Sequence, residues 1–337
     1  MLGWSIIEFK EAYESSQEYR KFLAELKWGT DFLIRAHTAK YEMVGLIGDP
    51  HADHENWLRP EDPASPRTPS KIITAKNPGT ELAAEASAAL AAAYLVFTWA
   101  NETDYASLCL KHAMELYEFA DKYRGVYHDA IPDVYDFYRS WEGYEDELAW
   151  AAIWLYGATQ EETLLNAAKA FYKRSGQTNR KPFDWDNKWP GVRMLIARLS
   201  SDETMITETQ SQIRNIIQIS KYTPKGLIYI DEWGVLRHAC NQAFLALVTA
   251  KLDPENSDDL LEFAKTQLFY IYGDTGRSFI IGFGEGYPTR PHHRSSSCPV
   301  PPRTCGWDVA DDKVSPNPWI LYGGLVGGPD RFDRRRF

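Results

Sequence analysis

The chain has 337 residues and a mass of 38.6 kDa, above the roughly 100–200 residues of a typical domain, so it is either one large domain or two. Its formal net charge of −10, from 47 acidic against 37 basic residues, argues against a nucleic-acid partner, which demands a basic face. Aromatics make up 14% of the chain, with 12 Trp and 19 Tyr; most belong in a core, but the surplus also suits sugar binding, where flat rings stack on pyranose C–H groups.

Apolar residues recur at i, i+3, i+4 and i+7 through long segments bounded by caps and breakers. They predict helices near Leu2–Tyr13, Gln17–Ala36, Leu82–Trp99, Asp104–Tyr123, Ile131–Tyr138 and Glu145–Leu155. More follow near Glu161–Lys173, Trp189–Leu199, Glu203–Ile219, Leu236–Ala250 and Leu260–Ile271, with a short one through Trp319–Val326. Thr80 is an N-cap candidate, and Thr159 with Glu162 reads as a capping box. Helices of ~10–20 residues in pairs, without a sequence repeat at fixed period, describe an all-α fold of stacked hairpins, either a linear solenoid or a closed toroid.

No Gly/Ser linker divides the chain, so it reads as one domain over 1–337, with the proline-rich Leu58–Ser70 as a long loop. "ASAALAAAYLVFTWA" falls short of the ~18 residues of a membrane span and reads as a buried helix. No membrane partner is expected, and the chain is expected to be a monomer. Cys109 and Cys240 lie in apolar helical patterns as buried thiols, whereas Cys298 and Cys305 flank "PVPPRT", where a short disulfide would imply an oxidising compartment. The opening "MLGWSIIEFKEAY" resembles the middle of an amphipathic helix and carries no charged leader region or cleavage site.

The chemistry-bearing residues lie in five loops: Gly48–Asp62, Asp136–Trp150, Pro182–Gly191, Tyr229–Asn241 and Gly282–Cys298. Each sets an aromatic beside a charged group, which suggests a groove lined with rings and hydrogen-bonding groups. The stretch "GYPTRPHHRSSSCP" (Gly286–Pro299) is the most pointed, because Pro288 and Pro291 forbid a long helix while two histidines and two arginines crowd between them.

"GRSFIIGFGEGYPTRPHHRSSSCP" resembles the His-containing signature of the glycoside hydrolases of family nine, the inverting endo-β-1,4-glucanases. "LKWGTDFLIRAHT", "GDPHADHENWLRPED", "NPGTELAAEASAALAAA", "YEDELAWAAIWLYGAT", "TPKGLIYIDEWGVLRHACN" and "GGLVGGPD" are similar to the same family in its order, from Trp4 to Asp330, most closely to its animal-type secreted members. The resemblance implies an (α/α)6 toroid of six helical hairpins with an open cleft for a cellulose chain, and secretion. It implies that His292 and Arg294 hydrogen-bond sugar near the cleavage point, His292 assisting catalysis. His54 and Trp57 would line the cleft, Tyr138, Trp141 and Trp185 would stack on sugar, and Trp233 with Arg237 would form an aromatic platform. His238 sits where many members carry Tyr, and Gly286 where the family often has Asn. His293 is as ready to support the loop from behind as to touch sugar.

Inverting hydrolysis needs one carboxylate as base and one carboxylic acid, ~6.5–9.5 Å apart. In the family the base lies in an Asp-Ala-Gly-Asp motif and the acid is a Glu on the last helix. Neither motif occurs in this sequence, so the chain is expected to be truncated at both ends and its own activity doubtful; the alternative is a non-catalytic β-glucan-binding relative or fragment. Absent helices would leave apolar faces uncovered at ~1.5–3 kcal/mol per large side chain, against a total stability of ~5–15 kcal/mol. Asp49, Asp53 and Glu285 read as acids of solvated loops. Asp146 and Glu147 leave two readings open: a structural calcium site of the kind some members carry, or a solvated helix start. No other cofactor is required. The H-x-x-H of His51/His54 and the adjacent His292/His293 are only weakly specific spacings for zinc, which wants three or four ligands.

Overall fold

The computed structural model describes residues 1–62, 69–175, 182–312 and 314–334; the middle of the proline-rich loop lies outside the described residues. In chain order the elements are α1 (Leu2–Ser15), α2 (Tyr19–Ala36), β1 (Glu42–Leu46), α3 (Pro50–Glu55), β2 (Lys71–Thr74), α4 (Thr80–Trp99) and α5 (Thr103–Lys122). Then come the single turns α6 (Tyr127–Ala130) and α7 (Tyr135–Tyr138), α8 (Glu145–Thr159), α9 (Glu162–Arg174), α10 (Trp189–Ser200) and α11 (Glu203–Ile219). β3 (Lys221–Tyr222), β4 (Ile228–Tyr229), α12 (Val235–Leu252), α13 (Asp258–Tyr272), α14 (Arg294–Ser297) and α15 (Trp307–Asp311) complete the series. The chain divides into two compact units: Met1–Gly48 with Thr68–Lys181 and Trp185–Ile206, and Asp49–Arg67 with Pro182–Asp184 and Thr207–Phe337.

The first unit is organised around α4. Its alanines at 83, 84, 86, 88, 91, 92 and 93 are all buried, and α5, α8, α1 and α2 pack around it. A helix apolar on every side belongs inside a core, and short side chains let its neighbours approach: a Cβ added at Gly3 of α1 would lie 3.2 Å from Ala92 Cβ. This helix is 20 residues long and apolar enough to cross a membrane, longer than the sequence reading allowed, but 61% of its apolar window is buried against protein. Helix α8 is likewise buried from Asp146 through Tyr156. Trp4, Trp150 and Trp154 meet edge-to-face at 5.5–6.0 Å. The pairs α4/α5 and α8/α9 are the predicted hairpins, and β1 pairs antiparallel with β2 in the register Met43↔Ile73.

The second unit holds the α12/α13 hairpin, the two-residue β3/β4 ladder and the irregular chain that follows α13. Cys298 and Cys305 form the expected disulfide, with Cα atoms 5.3 Å apart. Cys109 is a buried thiol, whereas Cys240 is only half-buried.

Several local expectations change. Ile131–Tyr138 is not one helix: Pro132 opens a 3-10 turn (Pro132–Val134), and α7 adds a single turn. Trp319–Val326 is not helical, because Gly323 sits at φ +80° and the backbone of Gly324 and Val326 pairs with Ile281 and Phe279. Thr80 is the first residue of α4 and not its cap; its hydroxyl accepts from the Gly125 N–H at 2.9 Å. Thr159 ends α8, and its hydroxyl donates to Leu155 O, so no capping box forms.

Leu148 is fully buried in α8. Leu148→Ala is expected to cost about 2–5 kcal/mol of unfolding free energy, read as a lower urea midpoint with an unchanged slope.

Candidate functional site

In the second unit, the loop 286–305 is held by side chains, since its prolines and turns leave few backbone pairs. Trp57 lies beneath it, only 5% exposed, and its indole N–H donates to Ser297 Oγ at 2.9 Å. The Cys298–Cys305 disulfide packs on the same indole. Arg59 donates to the carbonyls of Pro299 and Arg303. Asn317 donates to Pro291 O at 2.9 Å, and the Trp319 indole donates to Cys298 O at 3.0 Å. Gly286 adopts φ +62°, a left-handed conformation that glycine and asparagine both tolerate.

Arg294 opens α14, and its guanidinium donates to Asp53 Oδ1 at 2.7 Å and to the Asp53 carbonyl. Asp53 is thus no idle solvated acid, whereas Asp49 is a helix cap, accepting from the N–H groups of His51 and Ala52. His293 braces the loop, its Nδ1 accepting from the Ser296 N–H at 3.3 Å, and its exposed ring also lines the hollow shared by Trp233 and His292. His54 is exposed, with Nδ1 2.7 Å from Pro50 O.

The exposed His292 ring lies 4.5 Å, centroid to centroid, from Trp57. Trp57 is therefore a buried pedestal for His292 and not the open cleft-lining ring that was expected. Trp233 is 72% exposed, in a turn closed by its N–H donating to Asp231 Oδ1 and by Gly234 at φ +65°. Trp233 and His292 line one hollow of about 290 Å³, together with Gly234, Pro291, Leu321 and Leu325. An apolar floor with an indole and an imidazole at hand suits a ligand with flat C–H faces and polar edges. Arg237 is exposed one turn along α12 and packs its side chain over Gly234. His238 is buried, with neither ring nitrogen hydrogen-bonded, and burial pushes its pKa down, so it is a neutral core residue and not a surface contact.

In the first unit, Tyr138, Trp141 and Trp185 are all exposed. Tyr138 and Trp185 meet edge-to-face at 6.1 Å, while the Arg139 guanidinium lies 3.5 Å from the Trp141 ring centre and covers one of its faces. Tyr138 and Trp185 line a second hollow, of about 410 Å³, with Phe32, Tyr127, Glu81 and Glu147. Asp146 and Glu147 are buried, 0% and 3% exposed, which overturns the solvated-helix-start reading. Asp146 Oδ2 accepts from the Lys188 N–H at 2.8 Å. The Lys188 ammonium lies 3.3 Å from Glu85 and 3.8 Å from Glu147. Asp146 Oδ1 and Glu147 Oε2 are buried without hydrogen-bond partners, and burial raises both carboxyl pKa values. Three carboxyl groups thus face the one Lys188 ammonium, and the raised pKa values of Asp146 and Glu147 mean that protons relieve part of their charge.

Asp53, Ser297, Asn317, Lys188 and Glu81 were not singled out as binding or supporting residues. Asp53 and Arg294 stand 241 residues apart, so no local pattern announces the pair.

A mostly helical fold of packed hairpins, whose loops present aromatic rings beside hydrogen-bonding groups, defines the hairpin-built all-α class. Residues 1–336 match Glycosyl hydrolase family 9. The chain is 45% identical to the endoglucanase from the termite Nasutitermes takasagoensis, with a TM-score of 0.94 over 99% of this chain and 76% of that one. A cellulase of C. cellulolyticum solved in complex with cellobiose is 30% identical, with a TM-score of 0.88 over 99% of this chain and 75% of that one. Endoglucanase A of Bacillus pumilus is 38% identical over 351 residues, covering 99% of this chain and 52% of that protein, so the chain spans about half of that relative's length. The chain belongs to glycosyl hydrolase family 9, and its fold class is the all-α (α/α)6 type.

Glu81 carries a consequence for pH. Desolvation by burial is the main cause that lifts its pKa from the ordinary 4.5 to about 7, with help from Asp146 and Asp186 and against the hydrogen bond from the Tyr127 N–H. Because the folded state holds this proton longer than the unfolded chain does, its contribution to stability is full below about pH 4.5 and is lost as pH rises through about 7. Chemical denaturation across that window should show a falling stability, by up to ~3 kcal/mol from this group, and Glu81→Gln should flatten the slope.

Proposed function

We propose that this chain is the glucan-binding catalytic-type domain of an endo-β-1,4-glucanase that cleaves cellulose or related β-glucans with inversion. The observation that carries the reading is the hollow in which exposed Trp233 and His292 meet. Family membership, and a relative solved with cellobiose, support the substrate class. A single catalytic-type domain is the reading supported by one family match over residues 1–336.

Each side chain then has a physical task. The Trp233 indole takes the apolar face of a glucosyl unit. His292, pressed on Trp57, offers a ring nitrogen to a hydroxyl. Arg294 is steered by Asp53, which fixes where its remaining N–H donors point. Arg237 adds a second guanidinium beside Trp233. In the first unit, Tyr138, Trp141 and Trp185 supply further ring faces. His54 supplies an imidazole on α3. The carboxyl pair that inverting chemistry requires is not among these residues, so this chain is proposed to bind glucan without cleaving it. Asp146 and Glu147 would hold a structural calcium through their unpartnered oxygens, bracing the turn before α8. Secretion is supported by the Cys298–Cys305 disulfide. A monomer, free of nucleic-acid and membrane partners, is proposed on the charge balance and composition.

The chain should be mixed with a soluble β-1,4-glucan while bound ligand and new reducing ends are both measured. Binding without new ends is expected. New ends would mean that this chain holds an unforeseen carboxyl pair, and absence of binding would remove the glucan reading. Trp233→Ala is expected to weaken cello-oligosaccharide binding about tenfold or more, equivalent to ~1.4 kcal/mol or above, with an unchanged melting temperature because the ring is exposed.

A further inference from the structure

Helix α5 presents His112 and Glu115 three residues apart, on one face. Facing them is His37, the residue that caps the C-terminal end of α2. The His37 and His112 Nδ1 atoms are 2.8 Å apart, with ring centroids at 4.9 Å and planes nearly perpendicular. One ring nitrogen of each histidine and one Glu115 carboxylate oxygen lie within 4.8 Å of one another. His37 is buried, 6% exposed. None of the three residues belongs to the glucan-binding set.

We propose that His37, His112 and Glu115 form a binding site for a divalent transition-metal ion of the zinc(II) type, which clips the end of α2 to the middle of α5. Two imidazoles and one carboxylate are a common three-residue donor set for such an ion, with a water completing four-coordination. Calcium and magnesium prefer all-oxygen donors and are disfavoured here. A tetrahedral ion with ligands at ~2.0–2.1 Å needs donors roughly 3.3 Å apart. The two Nδ1 atoms need spread by only about half an ångström, within the reach of small ring rotations. Without the ion, the short nitrogen–nitrogen contact is one imidazole donating its Nδ1–H to the other; with the ion bound, the donor ring changes tautomer and carries that proton on Nε2.

The surroundings agree with this chemistry. Glu115 is the charge that favours a cation at both rings, and Lys111 is the opposing one. Exposure is graded: His37 is buried, while His112 and Glu115 are half-buried, so the ion has a path from solvent to the inner ligand.

The test uses the whole chain, stripped with a chelator and titrated with cobalt(II), whose visible absorption reports four-coordinate geometry, and then with zinc(II) as competitor. One cobalt per chain with intense visible bands, displaced by one zinc, is expected. His112→Ala and Glu115→Gln should each weaken zinc binding at least tenfold and abolish the metal-induced rise in melting temperature. Both positions are half-buried, and Glu115→Gln keeps the side chain's shape, so it reports on the donor even if His112→Ala loosens the helix. Failure of the wild-type chain to give the four-coordinate bands, or zinc binding by Glu115→Gln equal to wild type, would overturn the site. The readout is metal binding alone, so it stands or falls separately from glucan recognition.

Discussion

An irregular loop keeps one shape only if something buried holds it, and in the second unit that anchor is Trp57. Its indole N–H reaches Ser297, its faces carry His292 and Trp307, and the Cys298–Cys305 disulfide closes over it. Backbone hydrogen bonds shape the chain Gly282–Cys298, but the His292 ring packs on a side chain more than two hundred residues earlier. Arg294 is governed in the same way by Asp53, on the turn of helix just before Trp57. One short segment, residues 49–62, therefore orders the most chemically dense loop of the molecule.

The first unit meets a different constraint. Helix α4 is buried among four other helices, which works only because alanine lets their backbones come close. Such packing leaves little room for polar groups. Those that are buried, Asp146, Glu147 and Lys188 among them, gather where α8 begins, with the partly exposed Glu85 beside them. Glu147, which is costly to bury, thus lines the same hollow as the exposed rings of Tyr138 and Trp185.

Much of the helical framework was legible in the sequence because it is carried by local repetition. In α5, buried Ala106, Cys109, Ala113, Leu116 and Ala120 recur at spacings of three and four and fix both its presence and its inner face. Two elements misled for opposite reasons. Trp319–Val326 has the apolar content of a helix, but Gly323 and Gly324 turn it into a partner for Phe279 and Ile281. Ile131–Tyr138 starts on a proline-bound 3-10 turn. In the site, the residue types were legible and their exposure was not. Trp57 and Trp233 look alike in a sequence, yet a disulfide and a histidine ring bury one while a tight turn presents the other. Pairings such as Asp53 with Arg294, or His37 with His112, are made by the fold across long stretches of chain, and no short window contains them.

The central claim is that Trp233 and His292 together receive one glucosyl unit. The most direct measurement is a crystal of this chain soaked with cellobiose. The account predicts a pyranose ring lying parallel to the Trp233 indole, with a hydroxyl within hydrogen-bonding distance of a His292 ring nitrogen. Sugar bound elsewhere, with the Trp233–His292 hollow filled only by solvent at saturating ligand, would contradict it.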